Sequence, residues 1–128
     1  MVTASGKFGE KPTLTFDGSP APAELQVEVL EKGDGPVVKA GDQLSCNYLG
    51  QVWDGAVFDN SYDRGEPLVF PIGMGWVIEG WDEALVGQTI GSRVLITIPP
   101  DMGYGPAGQP AAGIKGDDTL VFVTDIVA

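Results

Sequence analysis

Glycine and proline recur so closely along this chain, 19 and 10 times in 128 residues, that few stretches are long enough to hold a regular helix. A glycine in a helix interior costs about 1 kcal/mol relative to alanine, and a proline about 3 kcal/mol. The apolar residues between these breaks are therefore left to fold mainly as short strands. One segment reads as a helix: Ile78, Trp81 and Leu85 recur at i, i+3 and i+7 and make a single apolar stripe. Glu79, Asp82 and Glu83 place negative charge at its positive start, and Gly87 supplies a stop. Gly80 weakens this helix, so its reading is close approach to a sheet, and packing has to supply the helix's stability.

The other apolar runs have the period and composition of strands. Leu25, Val27 and Val29 alternate with Gln26 and Glu28, which predicts a half-buried strand ending at the turn Lys32-Gly33-Asp34-Gly35-Pro36. Residues 43–51, 93–98 and 119–127 are short, rich in β-branched and aromatic residues and bounded by Gly and Pro clusters, as an antiparallel sheet requires. A sheet with one apolar face and a helix with one apolar stripe bury each other, so the expected class is α+β. Residues 1–23, with Gly and Pro around Leu14 and Phe16, read as an extended N-terminal arm docked on the surface of a domain spanning residues 24–128.

Charge and residue usage exclude several functions. Eighteen acidic against seven basic residues give a net charge of −11, which opposes nucleic acid and anionic membrane surfaces as partners. The chain has no histidine, which removes Ser/His and Cys/His catalysis and His-based zinc sites. Cys46 is the one cysteine, so no intramolecular disulfide exists, and its apolar surroundings read as a buried structural thiol. No metal or cofactor is expected. Nothing resembles a membrane span or a signal core, so the expected location is cytoplasmic; a domain of an exported protein whose signal has been removed would look the same. No self-association stripe is visible, and a monomer is expected.

Against that background three motifs stand out: Val57-Phe58-Asp59-Asn60-Ser61-Tyr62-Asp63-Arg64-Gly65, Val77-Ile78-Glu79-Gly80-Trp81 and Gly103-Tyr104-Gly105. They set bulky rings beside very few polar groups, a composition suited to a concave apolar pocket and poorly suited to hydrolysis or phosphate chemistry. From spacing alone, Trp81 serves as a core residue more readily than as a pocket floor, and Asp59 with Arg64 as a solvent-exposed ion pair on a loop. In unbroken order over residues 25–127, however, these motifs resemble the FKBP-type peptidyl-prolyl cis-trans isomerases.

The resemblance implies a twisted antiparallel sheet wrapped around one short helix, with a ligand pocket between them. It implies Trp81 as the pocket floor, the amide of Ile78 beside Val77 as a donor to a ligand carbonyl, and Tyr48, Phe58, Phe70 and Phe122 as walls. Phe70 is the wall residue nearest to ordinary core, because the family places its more exposed aromatic two positions earlier, where this chain has Leu68. Asp59, Tyr48 and Arg64 are implied as a hydrogen-bonded group at the rim, the Tyr104 hydroxyl as a partner of the substrate's amide carbonyl, and Ile114 as an apolar contact from a loop tip. Trp76 has no fixed role in the family pattern; it either shapes the rim or packs.

The activity implied is rotation about X–Pro bonds in peptides and unfolded chains, with binding of macrolide inhibitors at the same pocket. Asp59, Trp81, Tyr104 and Phe122 are the expected catalytic group. A non-catalytic chaperone or docking module on the same fold is the competing expectation. Rotation breaks no covalent bond, so a chain without nucleophile, metal or cofactor is chemically sufficient for it.

Overall fold

A computed structural model describes residues 2–105 and 108–128, and Pro106 of the expected pocket loop lies outside that range. Among the described residues, eight strands and one α-helix occur in the order β1 (Val2–Ala4), β2 (Leu14–Phe16), β3 (Gln26–Glu31), β4 (Gln43–Val52), β5 (Val57–Asn60), β6 (Leu68–Pro71), α1 (Glu79–Leu85), β7 (Arg93–Ile98) and β8 (Leu120–Ile126). Strands β3 to β8 form one antiparallel sheet in the order β3-β7-β8-β4-β5, with β6 also paired to β4. Strand β4 is long enough to serve two partners on one edge: Gln43 to Cys46 pair with β6, and Leu49 to Gln51 pair with β5. The expected strands at 43–51, 93–98 and 119–127 are present, and the structure adds the short strands β5 and β6, which no periodicity in the sequence marks.

Helix α1 packs on the side of the sheet to which Leu44, Cys46, Tyr48, Val94, Ile96, Ile98, Leu120, Phe122 and Ile126 contribute. The helix has no side-chain N-cap, is seven residues long, and buries Gly80, Trp81, Ala84 and Leu85. A helix this short is not stable alone in water, so its packing holds it. Gly80 is the point of closest approach. A Cβ there would stand 2.7 Å from three carbons of Ile98, and no side chain larger than hydrogen fits without displacement. Val86, with ψ 127°, ends the helix, and Gly87, at φ +96°, completes the turn in which Gln88 N–H donates to the Leu85 carbonyl at 3.1 Å. Cys46 is fully buried, and desolvation pushes its thiol up to about 12, as expected for a structural cysteine.

The opposite side of the sheet is also covered, so β7 and β8 are buried along their whole length. Strands β1 and β2 form a hairpin, and Leu14 joins Leu49, Leu95, Val121 and Val123 in a second core. Phe16 meets Trp53 edge to face at 5.2 Å. The N-terminal arm is thus a docked hairpin. Its loop closes over a fully buried ion pair between cross-strand partners: Arg93 Nε donates to Asp125 Oδ1 at 2.7 Å. Gly9 N–H and the Tyr62 hydroxyl donate to Asp125 Oδ2 at 2.9 and 2.7 Å, and Arg93 Nη2 also donates to the Glu10 carbonyl.

The half-buried strand expected at 25–29 is corrected. Val27 and Val29 are exposed, because β3 is an edge strand with β7 as its one partner and nothing among the described residues covers that face. Leu25 packs on the helix-side core, and after a bulge between Val29 and Glu31, Leu30 packs on the hairpin side.

Two outcomes follow from this packing. Gly80→Ala raises helix propensity yet lowers stability by about 1–3 kcal/mol in urea denaturation, because the methyl overpacks against Ile98. Asp125→Ala lowers it by about 3–5 kcal/mol by stranding a buried guanidinium, and the double replacement Arg93→Met with Asp125→Leu recovers only part of that loss, because Gly9 N–H, the Tyr62 hydroxyl and the Glu10 carbonyl lose their partners.

Candidate functional site

On the helix side of the sheet a cavity of about 350 Å³ opens to solvent, lined by Tyr48, Phe58, Asp59, Leu68, Gly75, Trp76, Val77, Ile78, Trp81, Tyr104 and Phe122. Strands β4, β5 and β8 deliver Tyr48, Phe58 and Phe122, while α1 delivers Trp81 from the other side. Trp81 is only 3% exposed. Its ring meets those of Tyr48 at 5.2 Å and Phe122 at 5.3 Å edge to face, and Phe58 meets Phe122 in the same way at 5.6 Å. Such edge-to-face pairs hold rings in fixed orientation, which makes the pocket floor stiff. Gly50 on β4 permits the last contact: a Cβ there would lie 2.7 Å from Phe122 and 2.8 Å from Phe58.

The polar groups sit at the rim. Tyr48 donates its hydroxyl to Asp59 Oδ2 at 2.5 Å, Arg64 Nη1 donates to Asp59 Oδ1 at 2.6 Å, and Arg64 Nη2 donates to the Tyr48 hydroxyl at 2.9 Å. With Arg64 and Asp59 exposed by 44% and 42%, this ion pair adds at most about 1 kcal/mol to stability. Its effect is orientational, since both carboxylate oxygens are held by fixed donors. The loop after β5 is pinned by buried Ser61, which accepts from Tyr48 N–H at 2.8 Å and donates to Asn47 Oδ1 at 2.9 Å. Burial, then donation to Asp59, raises the Tyr48 phenol; burial, then the Asp59 charge, raises Tyr104. The hydroxyl of Tyr48 accordingly remains a donor across the physiological range.

Two inner donors lack partners. The Trp81 indole N–H is buried without an acceptor, and the Ile78 amide, at the start of α1, has none among the described residues. A helix's first amides point out of its end, so an outside carbonyl can meet the Ile78 N–H.

Of the twelve residues expected at the site, Tyr48, Phe58, Asp59, Leu68, Val77, Ile78, Trp81, Tyr104 and Phe122 line the cavity. Three do not. Phe70 is buried behind Trp81, with ring centroids 5.6 Å apart, so it backs the floor. Arg64 stands outside the lining and acts through Asp59 and Tyr48. Ile114 is buried in the helix-side core, because its loop folds back through reciprocal hydrogen bonds with Gln109 at 2.9 and 3.1 Å. Asp59 lies on strand β5, opposite Gly50, rather than on a loop.

Of the two readings open for Trp76, the structure has it at the cavity's edge, and it adds Gly75, which the sequence does not single out. Asp82 holds their loop by accepting from Gly73 N–H at 2.7 Å and Gly75 N–H at 3.0 Å. The one sequence signal for this turn was the Gly73-Met74-Gly75 spacing. Both glycines adopt φ +76°.

An antiparallel sheet clasping a short helix around an aromatic cavity with a hydrogen-bonded rim defines a class of protein that binds small apolar groups without bond-breaking machinery. The sequence pattern described as FKBP-type peptidyl-prolyl cis-trans isomerase matches residues 35–127. The chain is 42% identical over 120 residues to "FK506-binding protein" of Streptomyces anulatus, covering 93% of this chain and 97% of that one. It is 39% identical over 105 residues to "Peptidyl-prolyl cis-trans isomerase" of Schizosaccharomyces pombe, covering 81% of this chain and 93% of that one. The crystal structure of AtFKBP13 superposes with a TM-score of 0.76 at 32% identity, covering 84% of this chain and 94% of that chain. The chain belongs to the FKBP-type peptidyl-prolyl cis-trans isomerase family, and its class of activity is rotation about X–Pro peptide bonds.

All three tyrosines of the chain, Tyr48, Tyr62 and Tyr104, have phenols raised above the ordinary value of 10. A raised folded value means the folded state keeps protons that the unfolded chain releases. The stability linked to them is therefore intact below about pH 10 and declines above it. Ultraviolet titration of the folded protein should show little phenolate at pH 10, with ordinary ionisation recovered in denaturant.

Proposed function

We propose that the cavity over Trp81 is the isomerisation site and that it takes the proline ring of an X–Pro segment in a peptide or unfolded chain. The observation that carries this reading is an open, stiff pocket of about 350 Å³ lined by six aromatic residues, with a hydrogen-bonded Asp59–Tyr48–Arg64 group at its rim and two unpartnered donors further in. In this reading Trp81 is the floor, and Phe58, Leu68, Val77 and Phe122 are walls. The Ile78 amide and the Tyr104 hydroxyl donate to substrate carbonyls. Asp59, locked by Tyr48 and Arg64, fixes the polar edge. Phe70 backs Trp81, and Ile114 supports the loop from beneath.

Rotation about a peptide bond is opposed by about 18–20 kcal/mol because the twisted state loses amide resonance. Two features lower that barrier. The planar amide carries a separated charge that water solvates well, whereas the twisted amide carries less, so an apolar pocket disfavours the ground state more. Rigid rings that fit the twisted proline better than either planar isomer add differential binding. A ten-thousandfold acceleration requires about 5–6 kcal/mol, within reach of a few rings and two carbonyl donors.

The same apolar surface suits macrolide inhibitors, and it favours an apolar residue before the proline. We assign the activity to residues 24–128, with the hairpin of β1 and β2 sealing the back of the sheet, and we assign the chain as a cytoplasmic monomer. No helix among the described residues is long and apolar enough to cross a membrane.

The test is catalysed isomerisation of a short Leu–Pro peptide with and without a macrolide of the FK506 type. Inhibitable turnover is expected. Asp59→Ala should reduce kcat/KM by about tenfold or more, and Trp81→Leu by more, with circular dichroism reporting a folded domain. Macrolide binding without turnover would replace isomerisation with a docking role, and unchanged turnover in both variants would move the site elsewhere.

A further inference from the structure

Trp76 is 73% exposed, the most exposed of the large hydrophobic residues, and has no ring or hydrogen-bond partner among the described residues. An indole so placed contributes little to folding, and the loop beneath it is not loose. Asp82 clamps the turn through Gly73 and Gly75, and Gly73 also lies tight against Ala40, where a Cβ would come within 3.1 Å. Gly41 N–H donates to the Ile72 carbonyl at 2.7 Å, fixing the start of the same turn. A rigid turn therefore presents a bare aromatic residue to solvent, and Trp76 is among the residues that line the cavity over Trp81. Met74, 61% exposed, extends the apolar surface along the turn.

We infer that Trp76 is a second recognition subsite, continuous with the proline pocket, which stacks on a large apolar or aromatic side chain flanking the substrate's proline. The inference rests on the reading of that pocket as the proline site. Cavity size supports it: about 350 Å³ lies at the small end for ligand pockets, so the proline ring fills the interior and flanking side chains lie at the mouth. Charge narrows the occupant. With Asp59 at the rim, Glu79 at the start of α1 and a net charge of −11, an acidic flanking residue is repelled. An aromatic pair here is worth about three- to tenfold in affinity. Trp76 thereby extends recognition from one X–Pro bond to X–Pro bonds set among apolar residues, the segments an unfolded chain exposes.

The experiment uses three peptides with one Leu–Pro core, flanked by glycine, by phenylalanine after the proline, or by phenylalanine two positions before it. Binding is read by calorimetry and turnover by isomerisation, for the unaltered chain, Trp76→Ala and Trp76→Phe. The expected result is a three- to tenfold preference for at least one phenylalanine peptide, carried in KM and Kd with kcat ratios near one. That preference collapses toward one in Trp76→Ala and returns largely in Trp76→Phe. A merely structural role would weaken all peptides together and leave the ratio intact, and either that result or a preference surviving in Trp76→Ala overturns the subsite. A Trp76-dependent preference in binding without turnover would sustain the subsite while ending the isomerase reading. Turnover with no preference would do the reverse, and absence of both binding and turnover would end both.

Discussion

The contact between Gly80 and Ile98 is the constraint on which the rest of the structure hangs. Helix α1 is seven residues long and has no side-chain cap, so packing against β7 is what keeps it formed. Close packing requires the absence of a side chain at position 80, and the next residue, Trp81, is thereby seated among Tyr48, Phe70 and Phe122. One turn position further, Asp82 reaches back to the amides of Gly73 and Gly75. The floor of the pocket and the loop at its mouth are set by neighbouring residues of one short helix. A shift of that helix off the sheet would disturb both together.

The back of the sheet makes this arrangement stiff. Phe122 and Asp125 lie on β8, one facing the pocket and the other the hairpin side, where Asp125 is held by Arg93, Tyr62 and Gly9. Tyr62 belongs to the same loop as Arg64, whose guanidinium braces Asp59 and Tyr48. Lys11 of the hairpin segment also meets Asp63 of that loop at 3.0 Å. The rim is therefore supported from behind by polar contacts with the N-terminal segment, and the buried ion pair is tolerable because nearly all of its donors and acceptors are met. Arg93 Nη1 is the one polar atom of the pair without a hydrogen-bond partner among the described residues.

Chemically, the pocket is economical in its polar groups. Asp59 has both oxygens engaged by Tyr48 and Arg64, so it acts as a fixed negative edge. The aromatic interior offers fixed shape and apolar surface, which in the proposed reading are what a rotation needs and a bond cleavage does not. Twisting an amide moves charge within one group and transfers no proton, so residues that would attack or shuttle protons have no task here. Under the proposed reading, fixed rings suit such a step because their benefit comes from fitting one geometry better than another.

Local pattern carried a good deal of this. The spacing of Ile78, Trp81 and Leu85 predicted α1, the β-branched runs predicted β4, β7 and β8, and Gly80 was legible as a point of close approach. Short motif spacing also brought Asp59 and Arg64 within reach of each other. What the sequence lacked was any statement about cover. Alternation assigns residues to a face, but whether that face meets a helix, a hairpin or water depends on strands paired from far along the chain. Val27 and Val29 alternate like buried residues yet lie on an open edge, while Ile114 sits on a loop yet is buried. Strands β5 and β6, four residues each, exist through pairing with the long β4, so their own sequences hardly announce them. Phe70, Trp76 and Trp81 are all aromatic, and only the tertiary structure decided that one backs the pocket, one edges its mouth and one forms its floor. The sequence determined periodicity and chemistry, which are local; the fold decided exposure and partnership, which are set by contacts between distant segments.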